Sequence, residues 1–191
     1  MPAKKQNNYG DQSIVVLKGP DRVRKRPAVI FGSDGLEGCE HSFFEILSNA
    51  VDEAKEGYGT EITVKAFNDH SIEVDDRGRG VPLGWNEKEQ KFNWELIYCE
   101  MYAGGKYNNN SSNAAYEFSL GTNGLGACAT QYSSEYMEVA SYNGESVSRI
   151  SFKKGFAVTD LATEPLKRGN KRTGTVVHWL PDLEVFTDIN I

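Results

Sequence analysis

The chain has 191 residues, of which 39% are hydrophobic and 25% charged, a composition typical of one globular domain with a substantial core. Its formal net charge of −6 argues against a protein that coats nucleic acid electrostatically. No apolar run is long enough to span a bilayer, and the start MPAKKQNNYG lacks the apolar centre of a signal peptide. We therefore expect a cytoplasmic protein with no membrane partner.

The three cysteines, Cys39, Cys99 and Cys128, are widely spaced and odd in number. This pattern favours reduced, structural thiols over a disulfide framework or a metal site.

The first part of the chain predicts an arm followed by short elements. Residues 1–13 are polar and without periodicity, which is typical of an arm. Residues 13–19 are apolar enough to begin a strand or edge segment, and residues 22–26 predict a short basic helix stopped by Pro27.

The strongest helical pattern covers residues 43–55, and the glycines of EGYG end it. Its polar residues are unusual, because Glu45 and Asn49 are four apart and therefore share a helix face. A solvated face is one explanation. A catalytic face is the other, and the remaining motifs decide between them.

A hairpin follows, since residues 60–67 and 71–76 alternate and are rich in β-branched residues. The second strand ends in VDDRGRGVP, where Asp76 precedes two glycines that allow the backbone to approach a ligand closely. An aspartate at this position can accept a hydrogen bond from an exocyclic amino group. A capped tight turn is the alternative interpretation.

The second half predicts a helix over residues 93–102, a lid-like loop over 103–121 and a further helix near 124–132. The segment LGTNGLGA opens that last helix, and its amides are suited to binding phosphate. It matches neither the Walker nor the Rossmann pattern. Strand patterns occupy residues 135–142, 145–152, 156–161 and 174–181. The order of elements predicts an α+β sandwich, a mixed, mostly antiparallel sheet with helices on one face, as one domain over residues 14–191.

Taken together, LKGPDRVRKRP, FFEILSNAVDEA, DDRGRGVP, AGGKY, LGTNGLGA and GTVVHWLPD resemble the ATPase domains of type IIA topoisomerase B subunits. These belong to the GHKL superfamily, which has the Bergerat sandwich fold with an ATP lid. The segments VRKRP and AGGK distinguish that family from GHKL chaperones and mismatch-repair proteins. Leu120, Asn123 and Arg77 depart from the usual family pattern.

The resemblance implies an ATP- and Mg²⁺-dependent enzyme in which Glu45 is the general base, His41 orients it and Asn49 binds the metal. It implies that Asp76 binds the adenine amino group, with Thr175 sharing a water there. The other residues that it assigns to ATP binding are Tyr9, Glu53, Arg79, Gly80, Pro82, Lys106, Tyr116, Gly121, Thr122, Asn123, Gly124, Leu125, Gly126 and Ala127. Tyr9 lies in the arm and would reach the partner's site in a nucleotide-dependent homodimer.

The resemblance also implies partners in a longer enzyme, namely an A subunit of the gyrase or topoisomerase IV type and DNA. The transducer, Toprim and DNA-binding regions of such enzymes are expected to lie outside these residues. A divergent paralogue that senses ATP through dimerisation, with little turnover, is the alternative function.

Overall fold

The structure is a computed structural model, and it describes residues 16–101 and 125–191. The described residues form five helices: α1 (Asp21–Arg24), α2 (Pro27–Phe31), α3 (Leu36–Lys55), α4 (Asn93–Tyr98) and α5 (Gly126–Tyr132). They also form nine strands: β1 (Ile62–Ala66), β2 (Ile72–Asp76), β3 (Trp85–Asn86), β4 (Lys91–Phe92), β5 (Ser134–Asn143), β6 (Ser146–Lys153), β7 (Phe156–Ala157), β8 (Ala162–Pro165) and β9 (Thr173–Pro181).

The main sheet has the strand order β1-β2-β9-β5-β6-β7, with β8 also paired to β6. Every pairing between described strands is antiparallel, which agrees with the predicted mostly antiparallel sheet. The predicted hairpin is confirmed, since Val64 lies opposite Val74 in the β1–β2 pair. Strands β3 and β4 form a separate two-stranded ribbon that was not predicted.

One face of the sheet carries the main core. On β2 the burial alternates, so Ile72, Val74 and Asp76 are buried while the residues between them are not. Helix α3 covers this face through Ile46 and Ala50, and Trp179 of β9 is fully buried beneath it. A second cluster joins α1, α2 and α5 to the C-terminal segment. The period of two therefore places the Asp76 carboxylate on the core side of the sheet, at the end of a strand.

Helix α3 is longer than predicted, because it begins at Leu36 rather than at residue 43. Its first turns contain Gly38, a residue type that disfavours helix interiors. In the fold Gly38 is buried, and a β-carbon there would overlap the Ser33 carbonyl. Tertiary packing, rather than helix propensity, selects the glycine.

Other boundaries also differ. Residues 16–18 form no strand, the helix predicted over 93–102 ends at Tyr98, and the predicted strand 156–161 is paired only at Phe156–Ala157. Pro27 begins α2 as well as ending the preceding turn, a position that suits its fixed φ. The short strand β8 was not predicted.

All three cysteines are free, as predicted, and burial raises the pKa of Cys39 and Cys128 to about 12. Within the described residues, no helix combines the length and apolar character needed to cross a membrane. The expected arm, residues 1–13, lies outside the described residues.

Candidate functional site

Asp76 ends β2 with its carboxylate turned into the protein, and it is only 9% exposed. Its Oδ1 accepts hydrogen bonds from the backbone N–H of Gly78, at 2.8 Å, and of Thr175 on β9, at 3.1 Å. Both of the hydrogen bonds that described residues give to this carboxylate end on Oδ1, so Oδ2 is left to accept from a ligand. Burial raises the pKa of Asp76, and the two amides only partly oppose that shift.

The turn after Asp76 is docked onto the ends of two neighbouring strands. Gly80 has φ of 86°, and a β-carbon there would overlap the Tyr142 carbonyl and lie 2.9 Å from Ser141 Oγ. Only glycine allows this approach without strain. The Val81 N–H donates to Thr175 Oγ1 at 3.0 Å, and Ser141 Oγ donates to the Val81 carbonyl at 2.6 Å.

Arg79 lies on the outer side of this turn and joins it to α3. Its Nε and Nη2 atoms donate to Glu53 Oε1 and Oε2, both at 2.8 Å, and Nη2 also reaches Glu56 at 2.8 Å. The guanidinium lies 3.7 Å over the Tyr58 ring. Glu53 therefore ties the end of α3 to the turn, while Pro82 is exposed beside it. Tyr58 and Glu56 were not predicted, although the 3.6-residue period places Glu56 on the same helix face as Glu53.

Two turns earlier on α3, Glu45 is half-buried and faces the start of α5. Its carboxylate packs so closely on Gly126 that a β-carbon there would overlap it. His41 lies on the other side, with Nε2 3.3 Å from Glu45 Oε1 and Nδ1 3.1 Å from the Phe31 carbonyl oxygen. Since both neighbours are acceptors, both contacts are hydrogen bonds only when the imidazole is doubly protonated.

Asn49 is exposed on α3, one turn after Glu45, as the spacing predicted. Leu125 and Ala127 flank Gly126 at the start of α5. The described members of the predicted site thus lie on α3, on the turn after β2, on β9 and at the start of α5, and the contacts Glu53–Arg79 and Glu45–Gly126 join α3 to the other two regions. The remaining predicted residues lie outside the described ones: Tyr9, Lys106, Tyr116, Gly121, Thr122, Asn123 and Gly124.

Ser141 is the main residue of the site that was not predicted. The signal was present, because Met137 and Val139 are buried at alternate positions and Ser141 continues that face as a buried polar residue. A hydroxyl at the end of an apolar alternation indicates a hydrogen-bonding task.

The chain is similar to known proteins over most of its length. The B subunit of DNA topoisomerase 4 from Staphylococcus aureus strains Mu50 and MW2 is 40% identical to the chain over 183 residues, which is 95% of the chain. The 43K ATPase domain of Thermus thermophilus gyrase B, solved in complex with an aminocoumarin, matches 92% of the chain with a TM-score of 0.71 and 36% identity. The chain belongs to the family of type IIA topoisomerase B-subunit ATPase domains.

This membership confirms the predicted GHKL fold and the likeness to an ATP-hydrolysing module of these isomerases. The chain spans 26% of the length of the topoisomerase IV relatives and 42% of the gyrase B chain. No protein-family model matches it.

Proposed function

We propose that the chain binds ATP with Mg²⁺ and hydrolyses it. The main supporting observation is the layout of α3, which touches both ends of the site. Glu53 contacts the turn after Asp76, and Glu45, eight residues earlier, contacts Gly126. At 1.5 Å per residue these contacts are about 12 Å apart along the helix, a separation that suits an extended nucleoside triphosphate.

In this proposal the adenine amino group donates to Asp76 Oδ2, the acceptor that the described residues leave open. An amino donor fits there, whereas a carbonyl oxygen would face the carboxylate and be repelled. The phosphates would extend toward the start of α5. We also propose that the residues within 102–124 that the family resemblance assigns to ATP binding contact these phosphates.

For hydrolysis, Glu45 would remove a proton from water as the water oxygen bonds to the γ-phosphorus. The bond from that phosphorus to the bridging oxygen breaks, and ADP leaves with the bond's electron pair. His41 would hold the Glu45 carboxylate in position through its contact with Glu45 Oε1. The residues present also fit Mg²⁺, since Asn49 is exposed one turn after Glu45 and its amide oxygen is the kind of donor this cation binds.

When bound, Mg²⁺ would offset charge on the phosphate oxygens. No group of three or more His, Cys, Asp or Glu side chains suited to a metal occurs in the described residues. The ion would therefore depend on the nucleotide for most of its ligands, which is its usual mode with nucleotides.

For the longer protein we propose ATP-driven homodimerisation, with Tyr9 reaching the partner's site, coupled to DNA strand passage with an A subunit. The likeness to the topoisomerase 4 relatives supports this. The arm at residues 1–13, the domain at 14–191 and the cytoplasmic location stay predictions.

The test is titration of a non-hydrolysable ATP analogue into the chain, with Mg²⁺ or with EDTA, followed by steady-state turnover of ATP. We expect binding that weakens in EDTA and in Asn49→Asp, because an added carboxylate alters the charge where metal and phosphate meet. Asn68→Asp adds the same charge on the exposed β1–β2 turn and is the matched control. Absence of analogue binding would contradict the proposal. Binding without turnover would favour the ATP-sensing alternative.

A further inference from the structure

Asp76, Thr175 and Ser141 form a polar row across three neighbouring strands. Thr175 lies opposite Ser141 in the β5–β9 register, and its N–H donates to Asp76 at the end of β2. The row continues to Ser148, which lies opposite Ser141 on β6. Cross-strand partners point to the same face of a sheet, so these side chains share the side that carries the core.

Thr175 and Ser141 bind the two polar groups of one residue. The Val81 N–H donates to Thr175 Oγ1 at 3.0 Å, and the Val81 carbonyl accepts from Ser141 Oγ at 2.6 Å. The two hydroxyls therefore hold Val81 as a neighbouring strand would, although Val81 belongs to no strand. They hold it beside Gly80, which approaches Ser141 Oγ and the Tyr142 carbonyl.

We propose that Ser141 is a positioning residue for the base of the nucleotide. It fixes the Gly80–Val81 turn against β5 and so sets how well the pocket is formed before ligand arrives. The inference rests on the proposed function, because the ligand is an adenine nucleotide. It goes beyond that function by adding a residue that touches neither phosphate nor metal.

The effect should fall on affinity rather than on the chemical step. Loss of the Ser141 hydroxyl leaves the Val81 carbonyl without its donor, and the turn then populates other conformations. The apparent affinity is the intrinsic affinity multiplied by the fraction of molecules that retain the competent turn, so it falls as that fraction falls. The turn lies at the end of the site that would hold the adenine base, called the base end here. Because ATP and ADP share that base, both should lose affinity equally.

The matched control is Ser148, one strand further out in the same row. Its Oγ bonds Thr163 Oγ1 at 2.8 Å and touches no part of the turn. Ser148→Ala therefore removes a hydroxyl from the same sheet without affecting Val81.

The experiment measures dissociation constants of ATP analogue and ADP, with kcat and KM for ATP, in wild type, Ser141→Ala and Ser148→Ala. We expect about fivefold to twentyfold weaker binding of both nucleotides in Ser141→Ala alone. At saturating ATP, kcat should stay within about twofold, because Glu45 is untouched. Hydrogen exchange at the Val81 amide, bonded to Thr175 Oγ1 in the wild type, should quicken in the same variant.

Thr175→Val extends the test. Both hydroxyls hold one residue, so the double variant should lose less affinity than the product of the two single losses. If Ser141→Ala is poorly folded, Ser141→Thr keeps the hydroxyl and should bind more tightly than Ser141→Val, which has the same shape without it.

Wild-type affinity in a folded Ser141→Ala chain would overturn the inference and leave the proposed function intact. So would a fall in kcat with unchanged KM, or an equal loss in Ser148→Ala. Failure of the wild-type chain to bind either nucleotide would overturn both.

Discussion

The proposed base end of the candidate site, around Asp76, and its proposed hydrolytic end, around Glu45, are built differently. At the base end, backbone amides of Gly78 and Thr175 hold a buried carboxylate, and hydroxyls from two strands hold the next turn. At the hydrolytic end, His41, Glu45 and Asn49 project from one face of one helix, and His41 and Asn49 are exposed. A sheet end can fix a shape before ligand binds, whereas a helix face supplies reactive groups that the bound ligand must organise.

The largest expected effect belongs to the hydrolytic end. Glu45→Ala should lower kcat by about 10²–10⁴-fold, because general-base assistance is typically worth that much. Binding of the ATP analogue should remain, since the base end is unchanged. Glu37→Ala, an exposed carboxylate on the same helix, is the control for steady-state turnover. Equal losses of binding and turnover in Glu45→Ala would contradict the division between the two ends.

The next effect belongs to the base end. Asp76→Asn can still accept from the amides of Gly78 and Thr175, but its NH₂ would then face the adenine amino group, donor against donor. A buried donor left unpaired costs about 1–3 kcal/mol, so affinity should fall roughly tenfold or more. Calorimetric titration measures this, and the ligand-free melting temperature should not fall. Asp69→Asn, the same change in the β1–β2 turn, is the control. Unchanged affinity in Asp76→Asn would rule out the proposal that Asp76 binds adenine.

A smaller effect is expected at His41. The His41 side chain is 48% exposed, so solvent screens its interaction with Glu45. His41→Ala should lower kcat by roughly threefold to tenfold, less than Glu45→Ala, with KM nearly unchanged. A loss as large as that of Glu45→Ala would mean that the histidine takes part directly in proton transfer.

The smallest effect concerns stability and pH. Burial raises the pKa of Asp76 above the ordinary value of 3.8, so the folded state binds this proton more tightly than the unfolded chain. The ionised carboxylate therefore opposes folding near neutrality, and that penalty is relieved as pH falls through the raised pKa. The melting temperature of the wild type relative to Asp76→Asn should rise between about pH 7 and pH 4. A difference that is constant with pH would contradict the buried-carboxylate interpretation.

The sequence by itself predicted most of the local elements and placed the candidate site residues on them. Four-residue spacing places Glu45 and Asn49 on one helix face, and alternation along β2 places Asp76 on the core side. Both are properties of a single segment, so no knowledge of the rest of the chain is needed.

Only the tertiary structure decided the contacts between segments. Ser141 meets Val81 across 60 positions, and Glu53 meets Arg79 across 26. The extension of α3 back to Leu36 likewise depends on how Gly38 packs against Ser33. Such contacts follow from strand order and register, which local patterns do not encode, because register is set by how whole faces pack together.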